Sequence, residues 1–262
     1  MIEGGHMARR TSACRPARAA VLYAAASLQV SFAFADCRAL IVEAPDHLAF
    51  SGCITQTTAE ALIRVIEANP SLPVVIRSEG GAVNAALDVA QVMARHRTRL
   101  IIRGQCLSSC ANYWVPAAGT VDVELDGVIG FHGDAQTTAR DHAASLPIEP
   151  LAREGIQSVV DLETRIGGEI PAIGDLHALQ AIRSSSSSME VRYRGTTWRC
   201  HGRGVSAVWA PSLPRLMSLG LVARVIPRDN SLAPTIPSIH DNNPLTASND
   251  DGDPLATCEP AR

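Results

Sequence analysis

The stretch Pro73-Val-Val-Ile-Arg77-Ser-Glu-Gly-Gly81 decides how this chain is read. Its first five residues form a short apolar run of the kind buried on both faces of a parallel sheet. The two glycines stand where a strand hands over to the next element, and glycine lets the backbone turn sharply there. Upstream, Arg38–Glu43 and His47–Phe50 read as two short strands with Pro45 and Asp46 turning between them. From Thr57 to Ala68 the residues Ala61, Leu62, Val65 and Ile66 recur at helical spacing, and Asn69-Pro70 stops the helix. Downstream, Ala82 to Ala94 is helical again, with Val83, Ala86, Leu87, Ala90 and Met93 on one face. Arg99–Arg103 gives the next strand, followed by a cysteine-bounded turn, a helix over Ala111–Ala118 ending at Gly119, and a strand over Asp126–Phe131.

This alternation implies an α/β domain whose helical crossovers build a parallel sheet. Functional residues in such sheets gather at the carboxyl ends of the strands. Gly80-Gly81, Ser108 and His132 each follow a strand and share that end. Residues 150–183 read as mostly helical, with Gly167-Gly168 and Pro171 as breaks. Ser184–Ser188 reads as a flexible connection, and 230–262 as an irregular tail held by Cys258.

The N-terminus has a different character. Met1–His6 resembles a cloning remnant or an upstream start and is set aside. Over 7–35, Arg9, Arg10, Arg15 and Arg18 precede an apolar run from Ala19 to Ala35 that closes on Ala33-Phe34-Ala35, the small-x-small pattern of a signal-peptidase site. A retained anchor needs about 20 apolar residues, and Ser27, Gln29 and Ser31 interrupt this run. Membrane association is therefore expected only through an uncleaved signal. Asp36 before Cys37 argues against a lipoprotein signal. The expectation is a periplasmic or secreted protein whose folded domain spans 36–229.

Cysteine counting agrees. Of seven cysteines Cys14 leaves with the signal, and an even six in an exported chain suggests three disulfides. Proximity favours Cys37–Cys53, Cys106–Cys110 and Cys200–Cys258, although six cysteines allow other pairings. A metal site is the competing use, but no pair has C-x-x-C spacing and no histidines cluster with the cysteines. The chain has 262 residues, 46% hydrophobic and 19% charged, enough to bury a core over most of its length. With 23 basic against 26 acidic residues the net charge is −3, which offers no electrostatic case for nucleic acid. There is no lysine at all.

Three places can carry chemistry. Gly80-Gly81 presents bare N–H groups at a helix start, or is simply a tight turn. Ser108, in Gly104-Gln-Cys-Leu-Ser-Ser-Cys110, is either a helix cap or a nucleophile with the Ser109 N–H as an oxyanion donor. His132, in Phe-His-Gly-Asp134, is either a strand-end histidine or a base. A serine hydroxyl needs a base within hydrogen-bond reach to become a nucleophile. Without lysine, that base is expected to be a histidine.

Taken in order, these landmarks resemble the caseinolytic Clp protease family in an exported, cysteine-containing form. Ser78-Glu79-Gly80-Gly81 is similar to the family's Ser-Pro-Gly-Gly turn, and Gly104-Gln105-Cys106-Leu107-Ser108-Ser109 to its nucleophile turn. His132, 24 residues after Ser108, stands at close to the family's interval. The likeness runs from His47 to Asp134, with weaker support in Leu216-Met-Ser-Leu-Gly-Leu-Val222. It implies a Clp/crotonase-like α/β fold of repeated ββα units, with a mainly parallel sheet flanked by helices. It also implies a serine peptidase: Ser108 as nucleophile, His132 as base, and the N–H groups of Gly81 and Ser109 as the oxyanion hole. A peptide or protein is the expected substrate, with no cofactor or metal, and no ATPase partner because ATP is not expected outside the cytoplasm. Family members form rings, and the helical 150–183 stretch is where a homo-oligomer contact is expected.

The departure concerns the third member. The family's aspartate aligns with Val208 in Ser206-Ala-Val-Trp209, where there is no carboxylate. Asp134, Asp161 or Asp175 then orients His132, or the site works as a dyad, or it is inactive. Loss of that aspartate costs about 10⁴ in turnover elsewhere. A non-catalytic binding or assembly protein with Ser108 as a helix cap is thus the alternative. An acyl-CoA enzyme of the crotonase kind fits the Gly-Gly pair but not the Ser108/His132 spacing or export. A Ser/Lys peptidase is excluded by the missing lysine, unless a partner chain supplies one.

Overall fold

Leu48, Phe50 and Ile54 in one run and Val74 and Ile76 in another are buried, and these two runs pair in parallel to start the main sheet. The computed structural model describes residues 39–133, 150–205, 208–228 and 252–261, all within one compact unit, Cys37–Arg262. The main sheet holds β1 (Ala39–Glu43), β2 (Leu48–Ile54), β3 (Val74–Gly81), β4 (Arg99–Leu107), β5 (Thr120–Glu124), β6 (Val128–Gly130) and β9 (Arg224–Ile226). Its order is β1-β2-β3-β4-β5-β9, with β6 paired to the far half of β4. Only β1 runs antiparallel, so this is a mainly parallel sheet flanked by helices.

The crossovers are α1 (Gln56–Ala68) and α2 (Val83–His96). Thr55 caps α1 reciprocally with Thr58, and Ala59, Leu62 and Ile66 form its buried stripe. After β4 the chain enters a π-helical turn, Cys110–Trp114, that runs into α3 (Val115–Ala117). The core lies between Val74, Ile76, Leu100, Ile102, Val121 and Val123 of the sheet and the apolar faces of these helices. Each such side chain contributes roughly 1.5–3 kcal/mol on burial. Trp114 meets Phe50 edge-on at 5.3 Å and donates its indole N–H to Ala86 O at 2.9 Å, so its polar atom is satisfied inside the core.

The structure departs from the sequence reading in particular places. Strand β3 does not stop at Arg77 but continues through both glycines, paired to Cys53 and Ile54. Glycine is needed there for a different reason than a turn: a Cβ on Gly81 would lie 2.1 Å from Ile54 O. Strand β5 was not anticipated. Residues 150–183 are helical as expected, forming α4 (Pro150–Glu169) and α5 (Pro171–Ser184) with the break at Pro171, but the chain stays helical through Gly167-Gly168. Gly167 and Gly174 face each other between the two helices, where a Cβ on Gly174 would come 3.3 Å from Gly167 O. The five serines are not a loose tether. Ser185 caps α5, Ser187 N–H donates to Ser185 Oγ at 3.1 Å, and Ser188 opens β7 (Ser188–Tyr193). With β8 (Thr196–His201) and β10 (Cys258–Pro260), β7 forms a second, antiparallel sheet. The tail is therefore not irregular throughout: residues 254–260 form a 3-10 turn and a paired strand. A short helix, α6 (Leu213–Ser218), precedes β9.

Cys106–Cys110 and Cys200–Cys258 are disulfide-bonded. Cys53 is also disulfide-bonded, while Cys37 lies outside the described residues. Among the described residues no helix is long and apolar enough to cross a membrane.

Candidate active site at the carboxyl ends of the strands

Strand β4 ends at Leu107, and the next residue, Ser108, takes φ +57°. A left-handed backbone costs a non-glycine residue about 1–2 kcal/mol, so the turn must be held from outside. The Cys106–Cys110 bridge spans it, with Cα atoms 5.4 Å apart and both cysteines fully buried. Strand β6 holds its other side, because Leu107 pairs with Gly130 and Ser108 N–H donates to Gly130 O at 2.9 Å.

That register delivers the histidine. Phe131 exchanges two backbone hydrogen bonds with Trp209, at 2.8 and 2.7 Å, and the chain then folds His132 back over Ser108. Ser108 Oγ is hydrogen-bonded to His132 Nε2. His132 Nδ1 lies 3.0 Å from Gly133 O. A carbonyl only accepts, so Nδ1 carries the proton and Nε2 is left as the acceptor for the serine hydroxyl. The pair is thus in the protonation arrangement that proton abstraction requires. His132 is exposed and Ser108 is half-buried, so the hydroxyl is within reach of a substrate.

Gly81 and Ser109, the two residues expected to supply oxyanion donors, are in contact beside the turn. Ser109 Oγ donates to Gly81 O at 2.8 Å. That bond ties the end of β3 to the nucleophile turn. Ser109 N–H is at the start of the π-helical turn, where no preceding helical carbonyl meets it. Gly80 closes the approach: its φ is +92°, and a Cβ there would lie 2.7 Å from Ser108 Cβ and 2.9 Å from Ser109 N. Its own N–H is engaged by Ser78 Oγ at 3.1 Å.

Of the candidates for a third member, the two that lie among the described residues do not join them. Asp161, on α4, accepts from Gln157 at 2.8 Å, and Asp175, on α5, accepts from Arg194 N–H at 2.7 Å. Asp134 lies outside the described residues. Among the described residues no carboxylate hydrogen-bonds His132. Val208, the position where the resemblance expects the aspartate, does pack beside the histidine strand: its Cγ1 lies 3.3 Å from where a Cβ on Gly130 would be. An apolar side chain there cannot orient an imidazole.

Two residues that sequence reasoning missed adjoin the site. Asn112, in the π-helical turn, donates from Nδ2 to His132 O at 2.9 Å, and Gln180 of α5 donates from Nε2 to Asn112 Oδ1 at 3.0 Å. No motif marks either; only the packing of α5 brings Gln180 near. Deeper, Tyr113 OH donates to the fully buried Glu163 of α4 and faces His177 edge-on at 5.9 Å.

No family model matches the sequence, and no curated protein matches it. Among solved structures the chain is similar to a mutant ClpP1 from Listeria monocytogenes, at 14% sequence identity and a TM-score of 0.45. The match covers 69% of this chain and 91% of that one.

Proposed function

We propose that this chain is an exported serine peptidase of the Clp-like kind that hydrolyses peptide bonds without an ATPase partner. The observation that carries the reading is the hydrogen bond from Ser108 Oγ to a His132 Nε2 left bare by the Nδ1–Gly133 contact. In this reading Ser108 Oγ attacks the substrate carbonyl carbon while His132 Nε2 takes its proton. The oxygen that becomes negative is held by the N–H groups of Gly81 and Ser109. As the tetrahedral species collapses, the C–N bond breaks and the imidazolium returns the proton to the leaving amine. Water then enters and attacks the acyl carbon as it loses a proton to the same nitrogen; the C–O bond to Ser108 breaks, the acid leaves, and the imidazolium returns that proton to Ser108 Oγ.

A neutral carbonyl in place of an aspartate fixes the tautomer but does not stabilise the transient imidazolium by charge. Turnover below that of a full triad is expected. Two bonded cysteine pairs fit an oxidising compartment. The arginine-led apolar segment over 7–35 supports export, with the mature chain starting at Asp36. The test is hydrolysis of a quenched-fluorescent peptide library by the secreted chain and by Ser108→Ala, with N-terminal sequencing of the secreted form. Cleavage lost in Ser108→Ala supports the peptidase. A folded, disulfide-intact chain that cleaves nothing favours the alternative, a binding protein on the same scaffold, for which the lack of a carboxylate bonded to His132 among the described residues speaks.

A further inference from the structure

We propose that Asn112 and Gln180 are positioning residues: a buried amide relay that aims the His132 imidazole at Ser108, in the place where a triad would use a carboxylate. The proposal rests on the reading of Ser108 and His132 as nucleophile and base. The relay's polarity is set by chemistry. His132 O can only accept, so the Asn112 group facing it is the NH₂, at 2.9 Å. That leaves Asn112 Oδ1 as an acceptor, and it receives Gln180 Nε2 at 3.0 Å. Each amide therefore has one orientation only.

Both side chains are buried, Asn112 to 2% and Gln180 to 5% exposure. Gln180 Oε1 has no hydrogen-bond partner among the described residues. A buried amide oxygen without a partner is a cost that an apolar residue of the same shape avoids, so for stability alone Gln180 is the wrong residue. What it gains is the bond to Asn112. The other end of the relay meets the only backbone carbonyl between the base and the Gly133 acceptor, the peptide that sets how Gly133 O faces Nδ1. Asn112 is also four residues beyond Ser108 in a π-helical turn, with its N–H donating to Ser108 O at 2.8 Å. One residue thus holds the nucleophile turn by its backbone and the base segment by its side chain. π-Helical turns recur at functional sites for this kind of re-aiming. The relay starts on α5, so the helical 150–184 region contributes to the site from behind.

The experiment uses the full, disulfide-intact chain and two near-isosteric apolar variants, Asn112→Leu and Gln180→Met. A fluorophosphonate probe, used over a concentration series, separates the maximal labelling rate at Ser108 from probe affinity. Long-range ¹⁵N–¹H spectra of the imidazoles, with His132 identified by its loss in His132→Gln, report the ring tautomer. The expected result is a fall in maximal rate of about a hundredfold for Asn112→Leu, the scale of a misplacement of about 1 Å, and a smaller fall for Gln180→Met. Probe affinity should be unchanged, and the pure Nδ1–H tautomer of the unaltered chain should become a mixture. A merely structural role would move neither tautomer nor rate in a folded variant, and that result would overturn the proposal. An Nε2–H tautomer in the unaltered chain would overturn it too, whether or not the variants fold. Failure of the underlying reading looks different: no labelling at Ser108, with the tautomer pure and lost in Asn112→Leu, removes the nucleophile and leaves the relay.

Discussion

Breaking each of the two described disulfides should have opposite effects on stability and on the site. Cys106–Cys110 closes a loop of sequence separation 4, and Cys200–Cys258 one of separation 58. Loop-closure entropy assigns about 2 kcal/mol to the short bridge and about 4 kcal/mol to the long one. At roughly 2–4 °C per kcal/mol for a chain of this size, the long bridge should dominate the melting temperature. The additional buried sulfur at Cys106 and Cys110 narrows the gap without reversing it. The site should rank them the other way, because the short bridge spans a serine at φ +57° that must be held there. The long bridge ties β10 to β8, in the second sheet. Cys106→Ala/Cys110→Ala should therefore lose less stability in urea but slow probe labelling at Ser108 by about tenfold or more. Cys200→Ala/Cys258→Ala should lose more stability and label at close to the unaltered rate. Unchanged labelling in the Cys106/Cys110 variant would refute the bracing argument, and a larger stability loss there than in the other pair would refute the loop arithmetic.

Other perturbations test other joints. Gly80→Ala places a methyl group 2.7 Å from Ser108 Cβ and Leu107 O at φ +92°. It should cost at least the about 1–2 kcal/mol of a left-handed side chain and suppress labelling, as urea titration and the probe would report. Tyr113→Phe removes the donor to buried Glu163 and should cost about 1.5–3 kcal/mol; an unchanged urea midpoint would contradict it. Burial pushes the Asp122 carboxyl up, but the Arg224 and Arg99 guanidiniums bonded to it outweigh that and hold it below its usual 3.8. A depressed folded pKa stabilises above the unfolded value and is lost as pH falls through the folded one. The stability deficit of Asp122→Asn should accordingly be full at neutral pH and shrink below about pH 4, as urea midpoints against pH would show.

The alternation around Val74–Ile76 and Leu100–Ile102 made the sheet and its crossovers legible, because those strands are apolar runs bounded by turn residues. Strand β5 was not, since Asp122 and Glu124 make Thr120–Glu124 look solvent-facing. Both carboxylates are fully buried, and the arginines that neutralise them, Arg99, Arg103 and Arg224, stand on neighbouring strands. The hairpin of β7 and β8 carries a local signal: Arg194-Gly195, with φ +48° and +78°, fits the two-residue turn that matches strand twist. Ser108 and His132 could be singled out because a serine and a histidine at that interval resemble a known family's pattern, and the structure places their side chains in hydrogen-bond contact. Gly133 O, Asn112 and Gln180 act through a backbone carbonyl and two amides, groups found in every sequence, and only the β4–β6 register and the packing of α5 bring them together.

The central claim is that His132 activates Ser108, and a fluorophosphonate probe tests it most directly. The probe is applied to the folded, disulfide-intact chain, to Ser108→Ala and to His132→Ala, with the labelled peptide mapped. The account predicts labelling at Ser108 in the unaltered chain and none in either variant. Labelling that persists in His132→Ala, or its absence from the unaltered chain, would contradict it.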